Sequence, residues 1–116
     1  MSNLTISSDD SERKATPIAT GVLAYFPDAL AAVSRVSQVG NDQHNPGQPL
    51  HWSKGKSTQH ADSAIRHFMD HGKLDSDGLR HTAKAAWRIL ALLQTEIEAE
   101  KNNLTYDEYI AKLKSQ

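Results

Sequence analysis

LRHTAKAAWRILALLQTEIEAEK, residues 79–101, is the stretch whose reading decides the fold. Leu79, Ala83, Ala86, Trp87, Leu90, Leu93 and Ile97 recur at helical spacing, and Ala85, Ile89 and Leu92 widen the stripe. No glycine or proline interrupts the run. An apolar surface this broad has to be covered from more than one side, which makes 79–101 the central helix of an all-α fold. Asp77 stands where an N-cap is needed.

Working outward, Thr105 and Glu108 fit a capping box, and Leu104 with Tyr109 fits the hydrophobic staple that accompanies it, so a last helix follows. Upstream, Ser57 is placed to cap a helix running to about His71, with Gly72 as its stop and Ala61, Ala64, Ile65 and Phe68 as its apolar face. An earlier helix starts at Pro27, whose fixed φ suits a first helical position. Leu30, Val33, Ser37 and Gly40 form its stripe, and Gly40-Asn41 is the expected stop. Between these two helices lie Asn45-Pro46-Gly47 and Pro49, the marks of a loop, together with His44, His51 and Trp52. No strand and no repeat is legible. The expectation is a small bundle of about four helices, with a long His/Trp-bearing loop between the first two. Residues 1–16 read as a flexible polar tail and 17–116 as a single helical domain.

All six histidines, His44, His51, His60, His67, His71 and His81, fall inside this middle region. Imidazole binds metals, accepts protons and contacts phosphate near neutral pH, so the cluster marks where a site should form. The formal charge is −1, which argues against a general nucleic-acid binder. From His44 to Arg88, however, seven Lys/Arg face four Asp, a local excess able to attract a phosphorylated ligand. Absence of cysteine excludes disulfides and thiolate metal sites. No segment has the ~20 apolar residues of a membrane span, and the N-terminus lacks a secretory core. A cytoplasmic protein is expected. A helical domain this small, with so apolar a third helix, is expected to be a homo-oligomer.

Within the cluster, His67-x-x-Asp70-His71 places two imidazoles at i and i+4, where they can share a metal, and the turn at Asp75 and Asp77 can bring a carboxylate. His60 and His67 are two turns apart, about 10 Å along the axis, and cannot share one ion. Asp75-Ser76-Asp77-Gly78 has the opening spacing of a calcium loop but none of its later ligands. Lys54, Lys56, Arg66, Arg80 and Arg88 are suited to gripping phosphate, Arg66 above all because it lies beside the apolar face; Lys73 and Lys84 read as solvated surface charges. Trp87 reads as core, while Trp52 is equally a core residue or a ligand contact.

Tyr25-Phe26-Pro27, Val39-Gly40-Asn41, His44-Asn45-Pro46-Gly47, Leu50-His51-Trp52, Gly55-Lys56-Ser57, Arg66-His67, Asp75-x-x-Gly78-Leu79-x-His81 and Ala86-Trp87 occur in that order. This series resembles a phage- and prophage-associated family, the dATP/dGTP diphosphohydrolase N-terminal domain, over roughly residues 20–98. The resemblance implies hydrolysis of a purine deoxynucleoside triphosphate with release of pyrophosphate, in the cytoplasm of a bacterial host. It singles out Gly40, Asn41, His51 or Trp52, Arg66, His67, Asp75 and His81. The chain departs from other phosphohydrolases: Glu96, Glu98 and Glu100 do not reproduce paired Glu-x-x-Glu motifs, and Asp70-His71 reverses the His-Asp order of the HD type. The chemistry implied needs an activated water, a divalent ion such as Mg²⁺ or Mn²⁺, and cations on the phosphates. The expected roles are Asp75, with Asp70 or Asp77, for metal; His67 or His81 as base; Arg66 and Lys56 as phosphate clamp; and His51 and Trp52, with Asn41, on the base or sugar. The alternative is a phage protein that binds or sequesters a nucleotide without turnover.

Overall fold

A computed structural model describes residues 9–116. Among them are five α-helices and one π-helical turn, with no strand: α1 (Asp10–Lys14), the π turn (Ala19–Leu23), α2 (Pro27–His44), α3 (His60–Met69), α4 (His81–Lys101) and α5 (Tyr106–Lys114). The described residues divide into two units between Ala31 and Ala32, inside α2. No single helix of the described residues is long and apolar enough to cross a membrane.

In the first unit, α1 occupies part of the segment expected as a tail; Met1–Ser8 lie outside the described residues. Asp10 pairs with Arg13 at 3.3 Å and Lys14 at 3.1 Å, the i,i+3 and i,i+4 spacings that favour a short exposed helix. Pro27 is the first residue of α2, as its chemistry requires.

The second unit is built on α4, which packs against both α3 and α5. Trp87 of α4 reaches α2, where its indole N–H donates to Ser37 Oγ at 2.7 Å. The central position expected for this helix is therefore observed, and Ala83 and Ala85 of the expected stripe are buried, but its large aliphatic members are not. The buried positions of α4 are Ala83, Ala85, Ala91, Thr95 and Ala99. Ile89, Leu90, Leu93 and Ile97 remain 41–55% exposed. Small residues let neighbouring helices approach closely, and the larger aliphatic side chains are left on the opposite arc. Thr95, fully buried, donates its hydroxyl to the carbonyls of Ala91 and Leu92 at 2.8 and 3.0 Å and so leaves no orphan donor.

The same inversion marks α3. Of the expected face, Ala64 is buried, but Ile65 and Phe68 are about 60% exposed. His60, Ser63 and Ala64 point inward instead. The helix begins at His60 rather than at Ser57, because Ser57 is left-handed at φ 52° and its carbonyl accepts from Arg88 at 2.7 Å. Gly40-Asn41 does not stop α2, which runs on to His44. Asn41 turns its amide to the Gln48 carbonyl at 2.9 Å, and Pro46 with Gly47 (φ 77°) ends the helix. Arg80, not Asp77, is the N-cap of α4; Asp77 accepts from the Leu79 N–H at 3.0 Å in the turn before it.

The capping box of α5 forms as read, with Thr105 and Glu108 bonding reciprocally at 3.1 and 2.8 Å. Tyr109, buried beyond it, donates to Glu98 Oε1 at 2.8 Å, and Lys54 of the long loop pairs with Glu98 Oε2 at 2.6 Å. Glu98 thus ties the loop to both C-terminal helices. One residue on, Gly55 passes so near α5 that a Cβ would lie 2.5 Å from the Leu113 carbonyl oxygen.

Gly55→Ala should therefore cost about 1–3 kcal/mol in urea unfolding, as an overpacked site does. Gly40→Ala, whose new Cβ would meet nothing within 4 Å, should instead leave stability unchanged or raise it by up to ~1 kcal/mol. Equal effects at the two glycines would contradict this account of the loop.

Candidate functional site

The chain leaves α3 at Met69 and returns as α4 at His81 through a tight reversal. Gly72 (φ 86°) and Gly78 (φ 82°) supply the left-handed positions that L residues resist. The Asp75 N–H donates to the Leu79 carbonyl at 2.7 Å and the His81 N–H to the Lys73 carbonyl at 3.1 Å, closing the reversal like a miniature hairpin. This brings the first residue of α4 opposite the last turn of α3.

His67 Nδ1 and His81 Nδ1 consequently stand 2.9 Å apart. Asp75 Oδ2 lies 3.9 Å from His81 Nδ1, and one ligand atom from each of the three residues falls within 4.8 Å of the others. Two nitrogens at that separation either share one proton or direct both lone pairs at one cation. For metal–nitrogen bonds of ~2.1 Å meeting at a right angle, the expected N···N separation is about 3.0 Å. The donor set fits a divalent ion. Burial, the neighbouring His81 and the Lys84 ammonium together lower the pKa of His67, against a smaller opposing pull from Asp75. His67 is thereby biased to the neutral form that a ligand or base needs.

Lys84, one turn into α4, places Nζ 2.7 Å from Asp75 Oδ2 and 2.7 Å from Asp77 Oδ2. Burial pulls its pKa down, but the hydrogen bonds to the two carboxylates outweigh that and raise it. The Lys84 bond and the Ser76 N–H hold the Asp75 carboxyl down at about 2. Asp77 is lowered in the same way by Lys84 and the Leu79 N–H.

Beside this cluster opens a cavity of about 750 Å³, within the size range of small-molecule sites. Asn41 of α2, His51, Trp52 and Lys56 of the loop, His60 and His67 of α3, and Lys84, Trp87 and Arg88 of α4 contribute to its wall, with Asp77 at one end. Trp52 and Trp87 meet edge to face at 5.6 Å, and Lys54 lies 5.1 Å over the Trp52 ring. Trp52 thus serves both core and cavity.

Of the residues singled out from the sequence, Asn41, His51, Trp52, Lys56, His67 and Asp77 line this cavity, while Asp75 and His81 join it through His67 and Lys84. Arg66 and Asp70 do not. Arg66 is exposed, and Asp70 faces Lys73 at 3.7 Å on the open surface. The i,i+4 pairing of His67 with His71 does not form, because α3 ends before His71, whose ring stacks on Phe68 at 5.3 Å. Sequence reasoning missed Lys84, and left Arg88 and His60 as two candidates among several. Lys84, taken for a surface charge, is 17% exposed at the centre of the cluster. Arg88 is the arginine that reaches the cavity. His60 is almost wholly buried at 2% exposure. The spacing His81-x-x-Lys84, one turn on the same helix face, was the available signal for Lys84.

No curated protein and no solved structure matches the chain. A family model described as dATP/dGTP diphosphohydrolase, N-terminal, matches residues 7–105, a span that takes in the loop, the three histidine-bearing helices and the whole cavity wall. The chain therefore belongs to the dATP/dGTP diphosphohydrolase N-terminal family.

Proposed function

We propose that the protein is a nucleotide hydrolase that releases pyrophosphate from dATP or dGTP, working with a divalent ion held by His67, Asp75 and His81. The observation that carries this reading is the meeting of those three side chains beside a cavity lined with cations and tryptophans. The family name supplies the substrate class. His67 and His81, expected from the sequence as bases, are assigned here to holding the ion. Two imidazoles and one carboxylate suit Mn²⁺ better than Mg²⁺, which prefers oxygen ligands.

A divalent ion at this point would stabilise negative charge on the phosphate oxygens. Lys84, Lys56 and Arg88 in the cavity wall add fixed positive charge for the triphosphate. Trp52 and Trp87 offer apolar surface for the base. Attack of water on the α-phosphorus would break its bond to the bridging oxygen, yielding the nucleoside monophosphate and pyrophosphate.

A second reading, a nucleotide-sequestering protein without turnover, is favoured by one observation. Lys84 already neutralises the two carboxylates nearest the imidazole pair.

Incubation with dATP or dGTP and Mn²⁺ should yield the monophosphate and pyrophosphate, and His67→Ala or Asp75→Asn should lower the rate by at least ~100-fold. Tight binding without product would overturn the hydrolase in favour of the sequestering protein. In the metal-free protein, an NMR titration should place His67 below its ordinary 6.5. Because the folded state disfavours the charged ring, the stability His67 contributes is present above that value and lost as pH falls through it. A midpoint at or above 6.5 would contradict the placement of Lys84 and His81. The open stripe of Ile89, Leu90, Leu93 and Ile97 supports self-association; a monomer in ultracentrifugation at micromolar concentration would overturn that.

A further inference from the structure

Two polar atoms in the cavity wall lack a hydrogen-bond partner. Among the described residues, the buried side-chain nitrogens and oxygens without one are Asn41 Oδ1 and His60 Nε2. Both residues line the cavity. Buried polar groups are nearly always satisfied, so two exceptions in one wall call for a ligand.

Their chemistry is fixed by what their other atoms do. The Asn41 amide nitrogen donates to the Gln48 carbonyl at 2.9 Å. Turning the amide over would set two oxygens against each other, so Oδ1 stays on the free side as an acceptor. His60 Nδ1 stands 3.1 Å from Arg88 Nη1. A guanidinium only donates, so Nδ1 carries the lone pair and the ring proton sits on Nε2. Burial and the Arg88 charge lower the pKa of His60, which keeps the ring neutral in that tautomer. The wall therefore offers one fixed acceptor and one fixed donor.

The surroundings suit a flat ring. Trp52 and Trp87 lie 6.5 and 6.2 Å from the His60 ring, centre to centre. Gly40, beside Asn41, presents bare backbone with open space where a Cβ would stand. Nε2 is covered in the free protein, so a ring would reach it only by displacing Trp52, which is carried on the loop rather than on a helix.

Resting on the nucleotide reading above, we propose that Asn41 and His60 read the edge of an adenine: His60 Nε2–H donates to N7, and Asn41 Oδ1 accepts from the six-amino group. Adenine presents those two groups side by side, an acceptor and a donor, whereas guanine presents two acceptors, N7 and O6. Both purines can use His60, pyrimidines cannot, and Asn41 rejects guanine. This chain is thereby a dATP-selective member of its family.

The test is calorimetric binding of dATP, dGTP, dTTP and 7-deaza-dATP to the intact protein in EDTA, which stops metal-dependent turnover. Loss of one such bond should weaken binding roughly tenfold or more, so dATP should bind at least ~10-fold tighter than dGTP and than 7-deaza-dATP. His60→Phe should bind dATP and 7-deaza-dATP alike, and Asn41→Leu should bind dATP and dGTP alike. If either variant fails to fold, the 7-deaza comparison on the unaltered protein still decides. Equal binding of dATP and 7-deaza-dATP, or a preference for dGTP, would overturn the base-edge assignment while leaving the nucleotide reading intact. Binding or turnover of no nucleotide, in EDTA and with Mn²⁺ alike, would overturn both and leave the two atoms to water.

Discussion

A lysine ammonium lodged between two carboxylates organises the middle of this protein. Lys84 bonds Asp75 and Asp77 at 2.7 Å each, and so fastens the reversal after α3 onto the first turn of α4. The Ser76 N–H holds the other carboxylate oxygen of Asp75, so Lys84 is what fixes Oδ2, the oxygen nearer His81. The pairing also sets the electrostatics. It keeps both carboxylates ionised far below neutral pH, and its positive charge helps hold the adjacent imidazole neutral. Ionised carboxylate and neutral imidazole are the forms that ligate a cation.

The same charge opposes a second cation at that point. A divalent ion on Asp75 Oδ2 would share its oxygen with Lys84, so its affinity is the difference between ligation and repulsion. Within the proposed hydrolase, a triphosphate in the cavity changes this balance, because Lys84 lines the cavity and finds there a second anion. Charge then couples metal and substrate: each makes the site more favourable for the other. The arrangement differs from carboxylate-rich phosphohydrolase sites, in which several acidic groups hold the metal by themselves.

Local signals in the sequence were reliable where a single turn decides the outcome. Pro27 opening α2, the Thr105–Glu108 box and the histidine-rich middle of the chain are all present in the structure. What the sequence hid was which way helices face. Periodicity located the apolar arcs of α3 and α4, but burial followed side-chain size and polar pairing. His60 and Ser63 turn inward on α3 while Ile65 and Phe68 turn out, because the inner side must serve Arg88 and His81. His67 was weighed against His71, four residues away, yet its partner is His81, fourteen away, across a reversal set by two glycines. Lys84 reads as a surface charge in the sequence for the same reason. Its carboxylate partners are seven and nine residues distant, outside helical spacing.

These inversions have a consequence for stability. The buried hydrophobic residues of the described chain are five alanines and Tyr109, and the largest fully buried side chains are His60 and Thr95. Alanine removes little apolar area from water, so burial contributes less here than a core of leucine and isoleucine would. Close helix approach and polar locks, chiefly Glu98 with Lys54 and Tyr109, carry the remainder. A wall that keeps a donor and an acceptor unsatisfied further lowers the stability of the free protein. Such a molecule responds strongly to anything that binds its folded form: a ligand at 100 times its Kd adds about 2.7 kcal/mol. Two of the buried polar residues, Asn41 and His60, also line the cavity. In the proposed nucleotide-binding role, such polar residues, a defect in a purely structural helix pair, are the price of a wall that recognises a ligand.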